Sequence, residues 1–172
     1  MKHEESNLQK QCVAWFRAQY PQYAMLLIHP INEGSGNSRT DRSRQAIHKA
    51  EGAVKGVPDL LLFLPNRSGK RFEMKDGNYV DGYFWYHGLG IEMKTTKGKQ
   101  SQEQKDFQKM FESAQYFYVV VRSFEEFQSV INDWIKRVPQ ETAGYLKDCF
   151  IDILHKAEER EKEKFYKIIG KK

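Results

Sequence analysis

The sequence predicts an α/β layered fold, on three observations. Short apolar runs around Leu27, Leu61, Ile91 and Val120 have the length of strands rather than helices. Between them lie segments whose apolar residues recur three and four positions apart, as on one face of a helix. The two patterns interleave along the chain, which is the arrangement that lets helices cover a sheet.

In order, Glu4 to Tyr20 reads as a helix, with Leu8, Cys12, Trp15 and Phe16 forming one apolar stripe. Pro21 ends it, and Ala24 to His29 reads as a short buried strand. Asn32 to Ser38 carries turn and loop chemistry. Thr40 to Glu51 reads as a polar helix bearing Arg42, Arg44 and Lys49, stopped by Gly52. Val57 to Leu64 is a continuous apolar run suited to a central strand covered on both faces. Asn66 to His87 is hairpin material, with turn signals at Ser68-Gly69 and Asp76-Gly77-Asn78. A third core strand follows from Leu89 to Thr95, then a basic turn, Lys97-Gly98-Lys99.

Ser101 opens the next helix, whose Phe107, Met110, Phe111 and Ala114 should face inward. Tyr116 to Val121 is another apolar strand. Ser123 and Glu126 have capping-box spacing before a helix carrying Phe127, Val130, Ile131, Trp134 and Ile135. The reading is a core of residues 1–137 and a C-terminal helical extension, 138–172. In the extension Tyr145, Leu146, Phe150, Ile153 and Leu154 form an amphipathic stripe. The run His155 to Lys164 after it is almost wholly charged, with Glu158–Lys162 at the supportive spacing.

Composition narrows the classes. Of 172 residues, 40% are hydrophobic and 13% aromatic, enough to fill one core and too many for a disordered chain. No stretch approaches the roughly 18 consecutive apolar residues of a membrane helix, and the N-terminus lacks the apolar core of a secretory signal. Two cysteines, Cys12 and Cys149, make neither a disulfide framework nor a zinc site. A soluble, cytoplasmic protein is expected. With 28 Lys and Arg against 23 Asp and Glu, the net charge of +5 favours a polyanionic partner such as nucleic acid.

The chemistry sits in Val57-Pro58-Asp59 and Ile91-Glu92-Met93-Lys94. Strand side chains alternate faces, so Glu92 and Lys94 project from one side of an otherwise apolar strand. Buried there, they need a partner or a ligand. Asp59, opening the neighbouring strand, supplies a second carboxylate. Two carboxylates on one rim make a hard oxygen site suited to Mg²⁺, with Mn²⁺ able to substitute. Lys94 could orient a water for attack on a phosphodiester. The plainer alternative is a structural salt bridge from Lys94 to Asp59 or Glu92.

Gly56-Val57-Pro58-Asp59 followed by Gly90-Ile91-Glu92-Met93-Lys94 resembles the PD-(D/E)xK nuclease superfamily, and within it the VRR-NUC family. The resemblance spans about residues 4 to 135, with its pieces in order. They are Glu5 and Gln9 on the first helix, Pro30 to Gly34 after the first strand, His87-Gly88-Leu89 before the ExK strand, Ser101 to Gln104, and Val119 to Ser123. The departures are Gln102 in place of a family proline, a long aromatic connection from Phe72 to Tyr86, and the 138–172 extension.

The resemblance implies a restriction-endonuclease-like core, a central mixed β-sheet flanked by helices, here with an inserted β-hairpin. It implies Asp59 and Glu92 as metal ligands, Lys94 as the catalytic lysine, Glu5 as an accessory acid at the metal and Gln104 as a site-supporting glutamine. Counted at 100° per residue, Glu5 lies beside the buried stripe, and Glu4 borders its other edge. Gln104 has a second reading as the capping-box partner of Ser101. His29 and Asn32 end the first strand near the expected site, either touching phosphate or serving structure.

Basic residues flank that site on both sides in sequence. Arg39, Arg42, Arg44, Lys49 and Lys55 precede the first acidic strand, and Lys97, Lys99, Lys105 and Lys109 follow the second. Of these, Arg42, Arg44, Lys55, Lys97 and Lys99, with Asn32, are the candidate nucleic-acid contacts. Tyr79, Tyr83, Phe84, Trp85 and Tyr86 suit a base-stacking surface, hairpin packing or a dimer contact. The expectation is a Mg²⁺-dependent DNA endonuclease, bacterial or phage-encoded, acting on branched or junction DNA and able to form a homodimer. Its rival is a non-catalytic nucleic-acid-binding module retaining the nuclease fold, and the residues do not separate DNA from RNA.

Overall fold

The structure, a computed structural model, describes the backbone of residues 2–30, 47, 48, 50–73 and 79–169, and the side chains of 4–30, 47, 48, 50–68 and 84–164. Helix α1 (Lys2–Gln19) buries Cys12 and Phe16 completely and packs Leu8 and Trp15 against the core. A tight 3₁₀ turn, Pro21–Leu26, follows, with Tyr23 N–H bonded to Tyr20 O at 2.9 Å. Strand β1 is therefore only Leu27–Ile28, shorter than the expected run from Ala24. Pro21 presets the φ that starts the 3₁₀ turn, and the turn drives Tyr23 into the core.

The helix expected to stop at Gly52 is described only at its end, where Ile47, His48 and Ala50 are helical. Gly52, at φ +97°, makes the left-handed exit. Glu51 N–H bonds Ile47 O at 2.9 Å and Ala53 N–H bonds His48 O at 2.8 Å, the hydrogen-bond pattern of a glycine C-cap.

Four strands form one mixed sheet in the order β1, β2 (Leu60–Leu62), β5 (Leu89–Met93), β6 (Phe117–Val121). The first two pairings are antiparallel, and β5 with β6 is parallel, joined by helix α2 (Gln102–Ser113) as crossover. Every residue of β5 is buried. The apolar run at Val57 to Leu64 yields only a three-residue strand. Pro58 has no N–H for a ladder, and Phe63, beyond the strand, turns 44% of its surface to solvent.

Strands β3 (Asn66–Glu73) and β4 (Tyr79–Tyr86) form a separate two-stranded sheet. Ser68-Gly69 is not a turn: Ser68 pairs with Phe84 and Gly69 with Tyr83 inside the hairpin, and the second turn signal, Asp76-Gly77-Asn78, lies outside the described residues. The hairpin base is tied to helix α3 (Phe124–Ile135). Buried Asn66 donates to Trp134 O at 2.8 Å, Trp134 Nε1 donates to Leu64 O at 3.0 Å, and Arg67 N–H reaches Arg137 O at 3.1 Å. Tyr86 packs on Phe117 and Trp134 with ring centroids 5.3 and 6.0 Å away.

Two further expectations change. Met110 is 71% exposed and Ala114 is exposed, so of the four residues expected to face inward on α2 only Phe107 and Phe111 are half-buried. Gly90 is what lets Phe111 so close, since a Cβ there would meet its ring carbon at 2.8 Å. At Ser123 the capping box is half formed. Ser123 Oγ accepts from Glu126 N–H at 3.1 Å, but the Glu126 carboxylate takes the N–H of Arg122 instead.

Helix α4 (Gln140–Ile169) packs Ala143 and Leu146 on the core, next to buried Val138. Its stripe is otherwise only partly covered: Tyr145, Ile153 and Leu154 are exposed, as is every described side chain from 151 to 164. Among the described residues, no helix is long and apolar enough to cross a membrane.

Candidate active site

The site grows from a mismatch in strand length. The last β2–β5 pair is Leu60 with Ile91, whereas on its other side β5 continues, with Lys94 N–H bonded to Val121 O at 2.9 Å. Beyond Ile91, the N–H groups of Met93 and Thr95 point to where β2 has stopped. Two carboxylates take the place of the missing strand. Asp59 Oδ2 accepts from Met93 N–H at 2.7 Å, and Glu5 Oε1 accepts from Thr95 N–H at 3.0 Å. Buried backbone donors need acceptors, so the fold has its own reason to hold both acids there.

Asp59 is delivered by the turn before β2. Gly56 has φ +83°, and a Cβ on it would lie 2.2 Å from Glu103 O and 2.9 Å from Gln104 N, so this turn sits directly against the start of α2. The Asp59 carbonyl is gripped as well. His29 Nδ1 lies 2.7 Å from it, and since a carbonyl only accepts, Nδ1 carries the hydrogen. The side-chain amide of Gln9 lies 3.0 Å from the same nitrogen.

Glu92 is 1% exposed and fully supplied with donors. Lys94 Nζ donates to Oε1 at 2.6 Å, Gln104 Nε2 donates to the same oxygen, and Tyr118 OH donates to Oε2 at 3.1 Å. Both readings of Gln104 hold together. Its Oε1 accepts from Ser101 N–H at 2.9 Å in a complete capping box, while its Nε2 holds Glu92. Lys94 likewise makes the structural ion pair with Glu92 that was the plainer alternative, and it stands near enough to Asp59 to be felt there.

Burial pushes the Asp59 carboxyl above the ordinary carboxylate range, against the pull of Met93 N–H and Lys94, and Glu5 adds to the rise. Burial, then the Asp59 charge, raises Glu92, with Lys94 and Tyr118 opposing. Burial and Glu92 also raise the Tyr118 phenol, so it stays a donor. Glu92 raised by burial and by Asp59, and Asp59 raised by burial and by Glu5, make an all-oxygen, hard cluster of the donor type that suits a divalent cation such as Mg²⁺. Glu5 belongs to the neighbourhood through its effect on Asp59. Among the described residues, however, no three His, Cys, Asp or Glu side chains stand as an enclosing ligand group.

Of the candidate nucleic-acid contacts, Lys97 and Lys99 are exposed on the turn after β5, and Lys55 is exposed near Glu103. Asn32, Arg42 and Arg44 lie outside the described residues. On the hairpin, Tyr86 is packing, Trp85 is 46% exposed with the Arg67 guanidinium 5.9 Å from its ring centroid, and the side chains of Tyr79 and Tyr83 lie outside the described residues. A cavity of about 330 Å³ adjoins the site, lined by Glu4, Glu5, Leu8, Lys94, Thr95, Thr96 and Arg122.

Tyr118 and Arg122 were not singled out by the sequence as site residues. Register is what reveals Tyr118: Gly90 pairs with Tyr118 and Glu92 with Val120, so Tyr118 shares the face of Glu92. A tyrosine in a valine-rich strand is a signal only once that pairing is known.

A mixed four-stranded sheet flanked by helices, with a parallel crossover pair carrying Glu92 and Lys94 beside Asp59, defines a restriction-endonuclease-like fold. A VRR-NUC domain matches residues 3–125, and the chain belongs to this nuclease-related family. A solved structure described as a VRR_NUC domain protein aligns with a TM-score of 0.56 at 22% identity, covering 78% of this chain and 89% of that one, and so shares the fold. No curated protein matches the sequence.

Proposed function

We propose that the chain is a metal-dependent endonuclease that hydrolyses DNA phosphodiester bonds, with branched or junction DNA as its preferred substrate. The observation that carries the reading is the convergence of Asp59, Glu92 and Lys94, a half-buried and a buried carboxylate, both raised by burial, with an ammonium at one strand end. Asp59 and Glu92 would hold Mg²⁺ or Mn²⁺, with Glu5 as accessory acid. When bound, the ion supplies Lewis acidity and a more acidic water. Gln104 and Tyr118 fix Glu92, and His29 fixes the backbone of Asp59. Lys94 places positive charge where a phosphodiester gathers negative charge during attack. Lys55, Lys97 and Lys99 bind flanking phosphates. Recognition through backbone and shape would suit a structural preference. A homodimer would suit a four-way junction, and the exposed apolar residues of α4 are its candidate surface.

One observation favours the non-catalytic alternative: both Glu92 carboxylate oxygens are hydrogen-bonded by side chains of the chain itself, Lys94, Gln104 and Tyr118, as a purely structural carboxylate would be. Cleavage of end-labelled single-stranded, duplex, flap and four-way-junction DNA separates the two. Wild type and Asp59→Ala are compared in Mg²⁺, Mn²⁺ or EDTA. Metal-dependent cutting that Asp59→Ala abolishes is the expected result. Tight binding with no cutting under any condition would leave the binding module.

A further inference from the structure

Arg122 follows β6 and lies outside the acidic motif, yet it reaches across to the turn after β5. Its Nη1 donates to Thr95 O at 2.7 Å and to Gly98 O at 2.8 Å, one bond to each end of that turn. The turn is closed by Gly98 N–H to Thr95 O at 3.0 Å. The anchor is itself anchored, because Arg122 N–H donates to Glu126 Oε2 at 2.7 Å in the first turn of α3. Thr95 is also held from its other side by Glu5, at 3.0 Å.

One residue, Thr95, thus joins the acid on α1 to the arginine after β6. Lys94 precedes it, and Lys97 and Lys99 come just after. A turn containing Gly98 and two exposed lysines would otherwise be soft, and mutual repulsion of the lysines would splay it. We propose that Arg122 is a positioning residue for the nucleic acid: it fixes this turn so that Lys97 and Lys99 stand at a set place relative to Lys94 and Glu5. It acts through the turn and not by binding phosphate itself. This rests on the nuclease reading and adds a determinant of substrate grip that is separate from the metal ligands.

The test is a double-mutant cycle on the full chain. Binding of labelled four-way-junction DNA is measured in EDTA, so that nothing is cut. Arg122→Ala alone, and Lys97→Ala with Lys99→Ala, should each weaken binding about 10-fold. Adding Arg122→Ala to the lysine pair should cost less than about 2-fold more, because residues acting through one element are not additive. A full product of the two losses would overturn the proposal and make Arg122 a direct phosphate contact. Amide exchange gives a readout without DNA: the Thr95 and Gly98 amides of Arg122→Ala should exchange at least about 10-fold faster than in wild type. Unchanged protection overturns the proposal even if binding falls. Wild-type chain that binds no DNA, with exchange still accelerated in Arg122→Ala, would instead remove the nucleic-acid reading and leave the clamp.

Discussion

Gly56 and Gly52 offer a controlled pair of perturbations, because the two glycines share a left-handed backbone and differ in surroundings. Their φ angles are +83° and +97°. A Cβ at Gly52 meets nothing within 4 Å, whereas one at Gly56 falls 2.2 Å from Glu103 O and 2.5 Å from Glu103 C. Alanine at either site incurs about 1–2 kcal/mol for the left-handed conformation. At Gly56 the obstacle is main chain, which no rotamer change relieves, so overpacking adds about 1–3 kcal/mol more. The change in the unfolded chain is the same for both substitutions and cancels in the comparison. For a chain of this length, 1 kcal/mol shifts Tm by about 2–4 °C. Gly56→Ala should therefore melt at least about 2 °C below Gly52→Ala. Calorimetry or a circular-dichroism melt reads this directly. Relief of the clash must move the backbone at Glu103 and Gln104, which withdraws Gln104 from Glu92, so Gly56→Ala should also lose DNA cutting while Gly52→Ala keeps it. Equal melting temperatures for the two variants would refute the reasoning.

Two other predictions concern the buried acids. Asp59 and Glu92 are held above their ordinary values by burial, so their stabilising contribution is full below the unfolded carboxylate pKa and is lost as pH rises through the folded values. Asp59→Asn keeps an oxygen for Met93 N–H and removes a charge. In EDTA it should raise Tm at pH 8 and change it little at pH 4, while cutting falls at least about 100-fold. A lower Tm at pH 8 would contradict the sign. Tyr118→Phe strips a donor from a buried carboxylate oxygen; it should cost about 1–3 kcal/mol in urea unfolding and reduce cutting about 10–100-fold. Full activity and stability in that variant would mean that the phenol does not hold Glu92.

The architecture was legible where apolar periodicity met strong punctuation. The helix stop at Gly52, the Ser101 capping box and the α/β alternation each rest on local chemistry that sequence displays. Strand extent was not legible in this way. Ala24 to Leu26 and Val57 to Asp59 are as apolar or extended as strands, but Pro21 and Pro58 divert them, and only tertiary packing says how far pairing runs. Ser68-Gly69 carries turn composition inside a strand because register across the hairpin outweighs local preference. At the site, alternation put Glu92 and Lys94 on one face, and the structure brings Asp59 beside them. The partners of those residues, Tyr118 on β6, His29 on the Asp59 carbonyl and Arg122 on the basic turn, join residues that are distant in sequence. No spacing rule connects Glu5 to Thr95.

The shortness of β2 also bears on which cation the site would prefer. Each of the two acids that cap β5 has one oxygen committed to a main-chain amide, Asp59 through Oδ2 and Glu5 through Oε1. Each keeps one oxygen free of main-chain bonds, so coordination through that oxygen leaves the sheet end undisturbed, whereas two-oxygen coordination has to share an oxygen with a backbone amide. Large cations such as Ca²⁺ need six to eight oxygens and commonly take carboxylates two at a time, while Mg²⁺ accepts one or two carboxylates and fills the rest with water. On the proposed function, discrimination by denticity follows from where a strand stops, without any residue dedicated to it.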